Sequence, residues 1–251
     1  MMCGGAPLNT RDIAAGQAGV TPLPAPCTRC GSRIAGICAA LDIAGLDEMA
    51  HEARRSPVVA RETLFRDGDP ASSIVMLVRG MAKLSRLMPD GRQQVLGFRF
   101  AGDVMGFTQG KCHSADAEML TEGVVCRMTR VQLDAMLARF PAAQRRMMDL
   151  CVQELALAQD QLVTVGRRHA EQRVAAFLLS LSVAARRRGE RTRQLDMPMT
   201  RAEIGDLLGL ALETVSRAFT ALRKRGLVIE SAGHRVELPD LEALALVADG
   251  A

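Results

Sequence analysis

The pattern of hydrophobic and polar positions changes along the chain and divides it into four segments. Residues 1–40 hold few periodic apolar positions, which is typical of a poorly ordered leader. Residues 41–140 carry short apolar runs, residues 141–166 carry one long helical pattern, and residues 167–251 carry shorter helical patterns. A strand-rich part followed by a helical part predicts an α+β fold.

The second segment predicts a small antiparallel β-roll or barrel. Its apolar runs alternate with turns such as Pro89-Asp90-Gly91, and short strands at near-regular spacing with glycine turns are typical of this architecture. Ahead of these runs, the pattern predicts a short helix over residues 46–53 that ends near Pro57. The clearest predicted strands cover residues 73–78, 82–87 and 94–98.

The third segment predicts a long helix that starts after Pro141 and runs past Val165 without an internal Pro or Gly. Apolar residues recur along it at alternating intervals of three and four, which is the stripe of a two-stranded coiled coil. We expect the stripe to pair with a copy of itself in a homodimer. The alternative is that it packs only on its own roll. The predicted dimer seam consists of Met148, Cys151, Leu155, Ala158, Leu162 and Val165.

The last segment predicts a winged helix-turn-helix. After a helix over residues 168–188, Thr200 and Glu203 fit the capping box of a second, short helix. A glycine-containing turn then leads to a third helix that stops at Gly226, so that the two short helices form a helix-turn-helix. A hairpin over residues 227–238 supplies the wing.

The second short helix has an apolar face and a polar face. Arg217 can donate two hydrogen bonds to a guanine, and Glu213 can accept one from a cytosine. The alternative is a solvated helix face without a DNA partner. Apolar positions predict a buried stripe of Leu212, Val215, Phe219 and Leu222. The predicted DNA-binding residues are Glu213, Thr214, Ser216 and Arg217. Residues expected to contact the phosphate backbone are Arg223, Lys224 and Arg225.

Composition and charge bear on location and partners. The chain has 251 residues and a net charge of +4, which allows two ordinary domains. Residues 166–251 hold 14 Lys and Arg against 11 Asp and Glu, a basic excess that points weakly to nucleic acid. Apolar runs are far shorter than the roughly 20 residues of a membrane span, and the N-terminus lacks a signal-peptide pattern. We therefore expect a cytoplasmic protein without a membrane partner.

Seven cysteines occur in the chain, and three of them lie within twelve residues of the leader: Cys27, Cys30 and Cys38. In a cytoplasmic protein such close spacing is better suited to a metal centre than to a disulfide framework. The spacing alone leaves an iron-sulfur cluster, a zinc knuckle and three unrelated thiols open.

The order of these segments resembles that of the catabolite-activator/fumarate-nitrate-reductase-regulator (CRP/FNR) superfamily. The resemblance rests on the sequence Glu-Thr-Val-Ser-Arg at residues 213–217 and on the roll turns at residues 67–70 and 102–106. It implies a roll of the cyclic-nucleotide-binding type, a dimerisation helix, a winged helix that binds double-stranded DNA, and no enzymatic activity. Members that bind a cyclic nucleotide hold its phosphate with an Arg-Ser pair. Here His113 stands in place of that arginine, so no cyclic nucleotide is expected.

The cysteine leader resembles the cluster motif of alphaproteobacterial FnrL/FnrN-type oxygen sensors, which implies a 4Fe-4S cluster. A cluster bound by cysteines alone needs four thiolates, and the resemblance supplies the fourth from the roll. Cys112 is the alternative fourth ligand, and Cys3 lies outside the motif. Arg29 and Arg33 are expected to offset the thiolate charge. The predicted metal ligands are Cys27, Cys30, Cys38 and Cys126.

The resemblance implies a regulator that carries the cluster under low oxygen, dimerises, and binds a palindromic site similar to TTGAT-N4-ATCAA. RNA polymerase is the further partner implied, and the regulated genes would serve anaerobic or photosynthetic metabolism. Two alternatives remain open. One is a regulator of the same family with another effector or a structural zinc, and the other is an iron-sulfur electron carrier.

Overall fold

The computed structural model describes Cys27, residues 30–167 and residues 169–250. Its first elements are two short 3-10 turns, Gly31–Arg33 and Ile37–Ala40, followed by helix α1, Ile43–Glu52. The side chain of Asp42 starts α1, because its carboxylate accepts a hydrogen bond from the Gly45 amide at 2.8 Å. Cys3 and Arg29 lie outside the described residues.

In the described part of the roll, eight strands form two four-stranded antiparallel sheets, in the orders β1-β8-β3-β6 and β2-β7-β4-β5. This arrangement confirms the predicted antiparallel roll. The predicted short helix ends at Glu52, ahead of Pro57 as expected, and Pro57 itself lies within β1. That strand is at the edge of its sheet, where a proline is tolerated. The strands are β1 Arg54–Val58, β2 Thr63–Phe65, β3 Ser73–Arg79, β4 Ala82–Leu87, β5 Gln93–Arg99, β6 Val104–Met105, β7 Asp116–Met119 and β8 Gly123–Thr129.

Two helices follow the roll. Helix α2, Arg130–Arg139, was not predicted, although Thr129 and Gln132 form a capping box at its start. Helix α3, Pro141–Arg167, has the predicted start and length. It runs along the roll, and its buried side packs Ala143 and Met147 into the core.

The last part is the predicted winged helix-turn-helix, and together with the roll it confirms the α+β fold. The capping box of Thr200 and Glu203 forms as predicted, and α5 ends at Gly209 with a left-handed φ of 64°. A strand before α5 completes the three-stranded wing sheet, in the order β10-β11-β9. The elements are α4 Ala170–Arg187, β9 Gln194–Asp196, α5 Arg201–Leu208, α6 Leu212–Lys224, β10 Ile229–Ser231, β11 Arg235–Glu237 and α7 Leu241–Asp249.

Three apolar clusters form the core. One fills the interior of the roll, and a second joins the leader to α1, α2 and α3. The third spans the winged helix and continues onto the outer face of the roll through residues such as Val95 and Phe98. Among the helices of the described ranges, none is long and apolar enough to cross a membrane.

Candidate metal centre and nucleic-acid interface

The four predicted metal ligands line one cavity. Cys27, Cys30 and Cys38 come from the leader and are buried, whereas Cys126 comes from β8 and is partly exposed. The fold thus brings Cys27 and Cys126, which are 99 residues apart in the sequence, to the same cavity. Four soft sulfur donors are a suitable set for an iron-sulfur cluster or zinc.

The roll builds one wall of this cavity from neighbouring strands. Cys126 is paired with Arg55 on β1 and with Met76 on β3, and all three line the cavity. The leader closes the other side, where the Ser32 hydroxyl lies 3.4 Å from the Leu77 carbonyl oxygen that accepts its hydrogen bond. Because the strand pairing fixes the position of Cys126, the leader determines whether the other thiols reach it.

Burial dominates the electrostatics of the thiols. It raises the pKa of Cys27 and of Cys38, and it raises the pKa of Cys126 to about 11. The nearby thiol of Cys30 raises these pKa values further, whereas Arg55 lowers those of Cys27 and Cys126. A coordinated metal cation removes such a thiol proton.

Arg33 acts on the thiols as the sequence predicts, but it does not dominate. It lowers the pKa of Cys27 and of Cys38, yet both pKa values remain raised because burial has the larger effect. Arg55 was not predicted, since nothing in its local sequence indicates that β1 lies beside Cys126. Within the described residues, no group of three or more His, Cys, Asp or Glu is arranged to hold a metal ion. The four thiols instead surround an open volume.

The remaining described cysteines lie elsewhere. Cys112, the alternative fourth ligand, is exposed, forms an isolated bridge with Pro70, and does not line the cavity. Cys151 is exposed on α3. The geometry therefore favours Cys126 over Cys112 as the partner of the leader thiols.

Arg146 connects the leader to the long helix. Its guanidinium, on α3, donates hydrogen bonds to the carbonyl oxygens of Ala35 and Gly36, with an Nε–O distance of 3.3 Å to Gly36. Both carbonyls lie between the second and third leader cysteines. These hydrogen bonds attach the leader loop to α3 within one helical turn of Met148.

The predicted seam residues lie on an exposed face of α3. Met148, Leu155 and Leu162 are 65%, 60% and 75% exposed. Cys151, Ala158 and Val165 are also exposed. From Met148 to Leu162 no described part of the same chain covers this stripe, which contradicts the alternative that it packs on its own roll. Val165 is 38% exposed and lies beside Gly209 of the winged helix.

The recognition helix α6 presents an open groove that is lined mainly by polar side chains. Glu213 and Arg217 are exposed, and Thr214 and Ser216 are partly exposed. The Arg217 guanidinium lies 3.4 Å from the Thr214 hydroxyl. Val215, Phe219 and Leu222 are buried as predicted, but Leu212 is half exposed, so its assignment to the buried stripe is wrong. The groove is lined by Ser216, Arg217, Thr220, Ala221 and Lys224.

Two of the three predicted phosphate contacts already have acidic partners. Arg223 lies 3.6 Å from Glu230 of the wing, and Arg225 lies 3.0 Å from Glu171 of α4. Exposed ion pairs of this kind contribute little free energy, so a phosphate can replace the carboxylate. Lys224 lines the groove itself, together with Arg217.

His113 fills the place where family members with a cyclic nucleotide carry an arginine. Its ring is buried and stacks on Phe65 with 4.0 Å between ring centroids. Burial and then the charge of Arg130 lower the pKa of His113, so the ring is neutral at pH 7. A neutral, stacked imidazole offers no bidentate clamp for a phosphate. The absence of cyclic-nucleotide binding stays a prediction.

Comparisons with known proteins agree with this architecture. Residues 55–140 match the cyclic nucleotide-binding domain, and residues 172–247 match the Crp-like helix-turn-helix domain. A "Probable transcriptional activator" of Rhizobium leguminosarum bv. viciae is 36% identical over 93% of this chain and 97% of its own length. The "Transcriptional activator protein FnrA" of Stutzerimonas stutzeri is 32% identical over 90% of this chain and 94% of its own.

A solved structure shows the same fold. The crystallised FixK2 from Bradyrhizobium japonicum has a TM-score of 0.71 and 30% sequence identity, and the match covers 79% of this chain and 98% of FixK2. The relatives are transcription regulators, which confirms the prediction that the protein is not an enzyme. With a roll, a helix-turn-helix and these relatives, the chain belongs to the CRP/FNR superfamily of DNA-binding transcription regulators.

Proposed function

We propose that the protein is an oxygen-responsive transcription regulator that holds a 4Fe-4S cluster. When oxygen is low, two chains associate through the seam stripe and bind a palindromic site similar to TTGAT-N4-ATCAA. RNA polymerase is the further partner, and the names of the relatives as transcriptional activators favour activation of genes for anaerobic or photosynthetic metabolism. The protein acts on DNA in the cytoplasm. The proposed ligands are Cys27, Cys30, Cys38 and Cys126.

The observation that carries this proposal is that four cysteine thiols share one cavity. Four thiolates are the ligand set of an iron-sulfur cluster that is bound by cysteines alone. Burial raises the pKa values of Cys27, Cys38 and Cys126, and a bound cationic centre would remove their thiol protons. A cluster bound there supplies a centre that oxygen can degrade.

The residues around the cavity connect ligand binding to α3. Three donors belong to the leader and one to β8, so ligand binding fixes the leader on the roll. Arg146 then holds the leader carbonyls of Ala35 and Gly36 against α3. If the donors separate, these hydrogen bonds lose their fixed acceptors, and α3 can shift relative to the roll.

The exposed stripe converts such a shift into DNA binding. Association of two chains costs several kcal/mol of translational and rotational freedom, so a modest change in the seam decides whether the dimer forms. In the dimer two α6 helices enter successive major grooves about one helical turn apart. Arg217 then reads a guanine in each half-site, and Glu213 reads a cytosine.

The test compares Cys126→Ser with Cys112→Ser, which makes the same chemical change outside the cavity. Both variants and the native chain are purified without oxygen, and absorbance, iron, sulfide and zinc are measured. We expect a coloured native protein with roughly four iron and four sulfide per chain. Cys126→Ser should lose this colour and its operator binding, whereas Cys112→Ser should retain both.

Three outcomes would contradict the proposal in different ways. A colourless native protein that carries zinc would replace the cluster with a structural metal. Retention of iron and sulfide by Cys126→Ser, with loss in Cys112→Ser, would reassign the fourth ligand. Operator binding of the same strength with and without oxygen would exclude the sensor function.

A further inference from the structure

The winged helix is fixed on the roll of its own chain through an interface that mixes apolar and charged groups. Phe98 of β5 contacts Phe177 of α4, with 5.9 Å between ring centroids. The Gln94 side chain of β5 donates a hydrogen bond to the Asp206 carbonyl of α5. Both contacts hold the helix-turn-helix beside the strands β4 and β5.

An ion pair lies at the centre of this interface. Lys83 of β4 is 4% exposed and Glu203 of α5 is 6% exposed, and their Nζ and Oε1 atoms are 2.8 Å apart. Taking two charges out of water is costly, so a buried pair adds little to stability by itself. What such a pair supplies is a defined geometry, because removal of either partner takes the shortest counter-charge contact away from a buried charge.

The two oxygens of Glu203 have different partners. Oε2 accepts hydrogen bonds from the backbone amide of Thr200 at 2.8 Å and from its hydroxyl at 3.1 Å, which completes the capping box of α5. Oε1 accepts from Lys83 and, at 3.3 Å, from Arg61. Glu118 completes the group, 3.1 Å from Arg61 and 3.7 Å from Lys83. The start of α5 is therefore joined to the roll by two cations and two carboxylates.

This contact leaves the DNA-reading face of the winged helix open. Glu213 and Arg217 of α6 remain exposed, and the polar groove along α6 is accessible. An autoinhibitory contact would cover these residues. The docked arrangement is therefore compatible with DNA binding.

Helix α3 adds a further contact, because the Gln161 side chain donates a hydrogen bond to the Leu207 carbonyl of α5 at 2.7 Å. The Lys83–Glu203 pair fixes the other end of α5, where the winged helix meets strand β4 of the roll. In a dimer on a palindrome, the angle of each winged helix on its roll sets the distance between the two recognition helices.

We propose that Lys83 is a positioning residue: through its buried ion pair with Glu203, it fixes the winged helix on the roll and thereby sets the half-site spacing that the dimer accepts. The spacing part rests on the proposed function, in which two chains bind one palindrome. The docking part does not depend on it.

The test uses Lys83→Met, Glu203→Gln and the double variant in the full chain, purified without oxygen. Methionine keeps the aliphatic length of Lys83, and glutamine at Glu203 can still complete the capping box. Lys111→Met is the matched control, because Lys111 is exposed on the same roll. In the double variant both positions are neutral, so neither residue buries a charge without its counter-charge. The melting temperature of the double variant should therefore be higher than that of Lys83→Met.

Hydrogen exchange without DNA measures the docking. Amides of α5 and β5 should exchange faster in the double variant than in the native chain, and Lys111→Met should match the native chain. Unchanged exchange in the double variant would overturn the proposal.

DNA with altered spacing measures the consequence. The two half-sites selected by the native protein are separated by the native spacer or by spacers one or two base pairs longer or shorter. Double-variant affinity for the native spacer should fall roughly tenfold, and the preference among spacers should flatten. Native spacer preference in the double variant would overturn the positioning role. Oxygen-independent binding by the native chain would instead refute the sensor function and leave the spacer result intact.

Discussion

Replacement of Leu155 by alanine tests whether the exposed stripe of α3 is the dimer seam. Leu155 is 60% exposed in the single chain. Complete burial of a leucine side chain contributes about 1.5–3 kcal/mol, so covering the exposed part contributes about 1–2 kcal/mol in each chain. A symmetric dimer contains two copies, and the loss in association free energy is then about 2–4 kcal/mol. The dimer dissociation constant should rise roughly 30- to 1,000-fold.

Leu157→Ala is the matched control, because it makes the same change on the same helix but outside the stripe, where Leu157 is 41% exposed. Sedimentation equilibrium of the native chain and both variants, without oxygen, gives the dissociation constants. Circular dichroism should show equal helix content, since alanine has a high helix propensity. A dissociation constant for Leu155→Ala within twofold of the native value would refute the assignment of the seam. An equal rise in both variants would do so as well.

Two further predictions concern the recognition helix and the centre of the seam. Arg217→Ala should cost about 1–3 kcal/mol on sites that carry the contacted guanine and little on sites that lack it; competition with single-base operator variants measures this, and an equal loss on all bases would contradict it. Ala158→Asp should turn the apoprotein into a monomer, because two carboxylates would face each other across the seam. The native apoprotein, with alanine there, should retain dimer at tens of micromolar in sedimentation, and a strict native monomer would defeat this reasoning.

Local sequence patterns predicted the helix-turn-helix correctly. They could not predict contacts between residues that are distant in the sequence. The capping box of α5 depends on two residues three positions apart, so Thr200 and Glu203 could be recognised from the sequence. Lys83, which binds the other oxygen of Glu203, lies 120 residues away on β4. Its three-dimensional position depends on how the roll and the winged helix dock, which no local pattern encodes.

Two elements near the roll, strand β1 and helix α2, were also missed by the sequence analysis. Strand β1 was not predicted, because its sequence contains Pro57, which is tolerated there since β1 is an edge strand. Helix α2 was missed, although Thr129 and Gln132 carry the signal of a capping box. That helix has a weakly apolar sequence, and only Leu133 and Met136 are buried.

In the candidate metal site, too, some residues could be predicted from local sequence and others could not. Close spacing indicated the leader cysteines, whereas Cys126 could be named only through a family resemblance, because a single cysteine in a strand carries no local signal. Arg55 and Met76 had no signal at all, since they reach the cavity through pairing with Cys126. The structure also separates Cys112 from the cavity, which sequence spacing left open.

The leader is part of the folded core as well as the carrier of thiols. Ile37, immediately before Cys38, is completely buried and belongs to the same apolar cluster as Met49, Ile74 and Met136. A chimera that receives residues 27–41 therefore needs a recipient roll with a matching apolar socket. Without it, the transplanted segment would expose an isoleucine and leave its cysteines unaligned. Transfer of this cysteine segment to another roll therefore depends first on a complementary apolar pocket for Ile37 and only then on the choice of ligands.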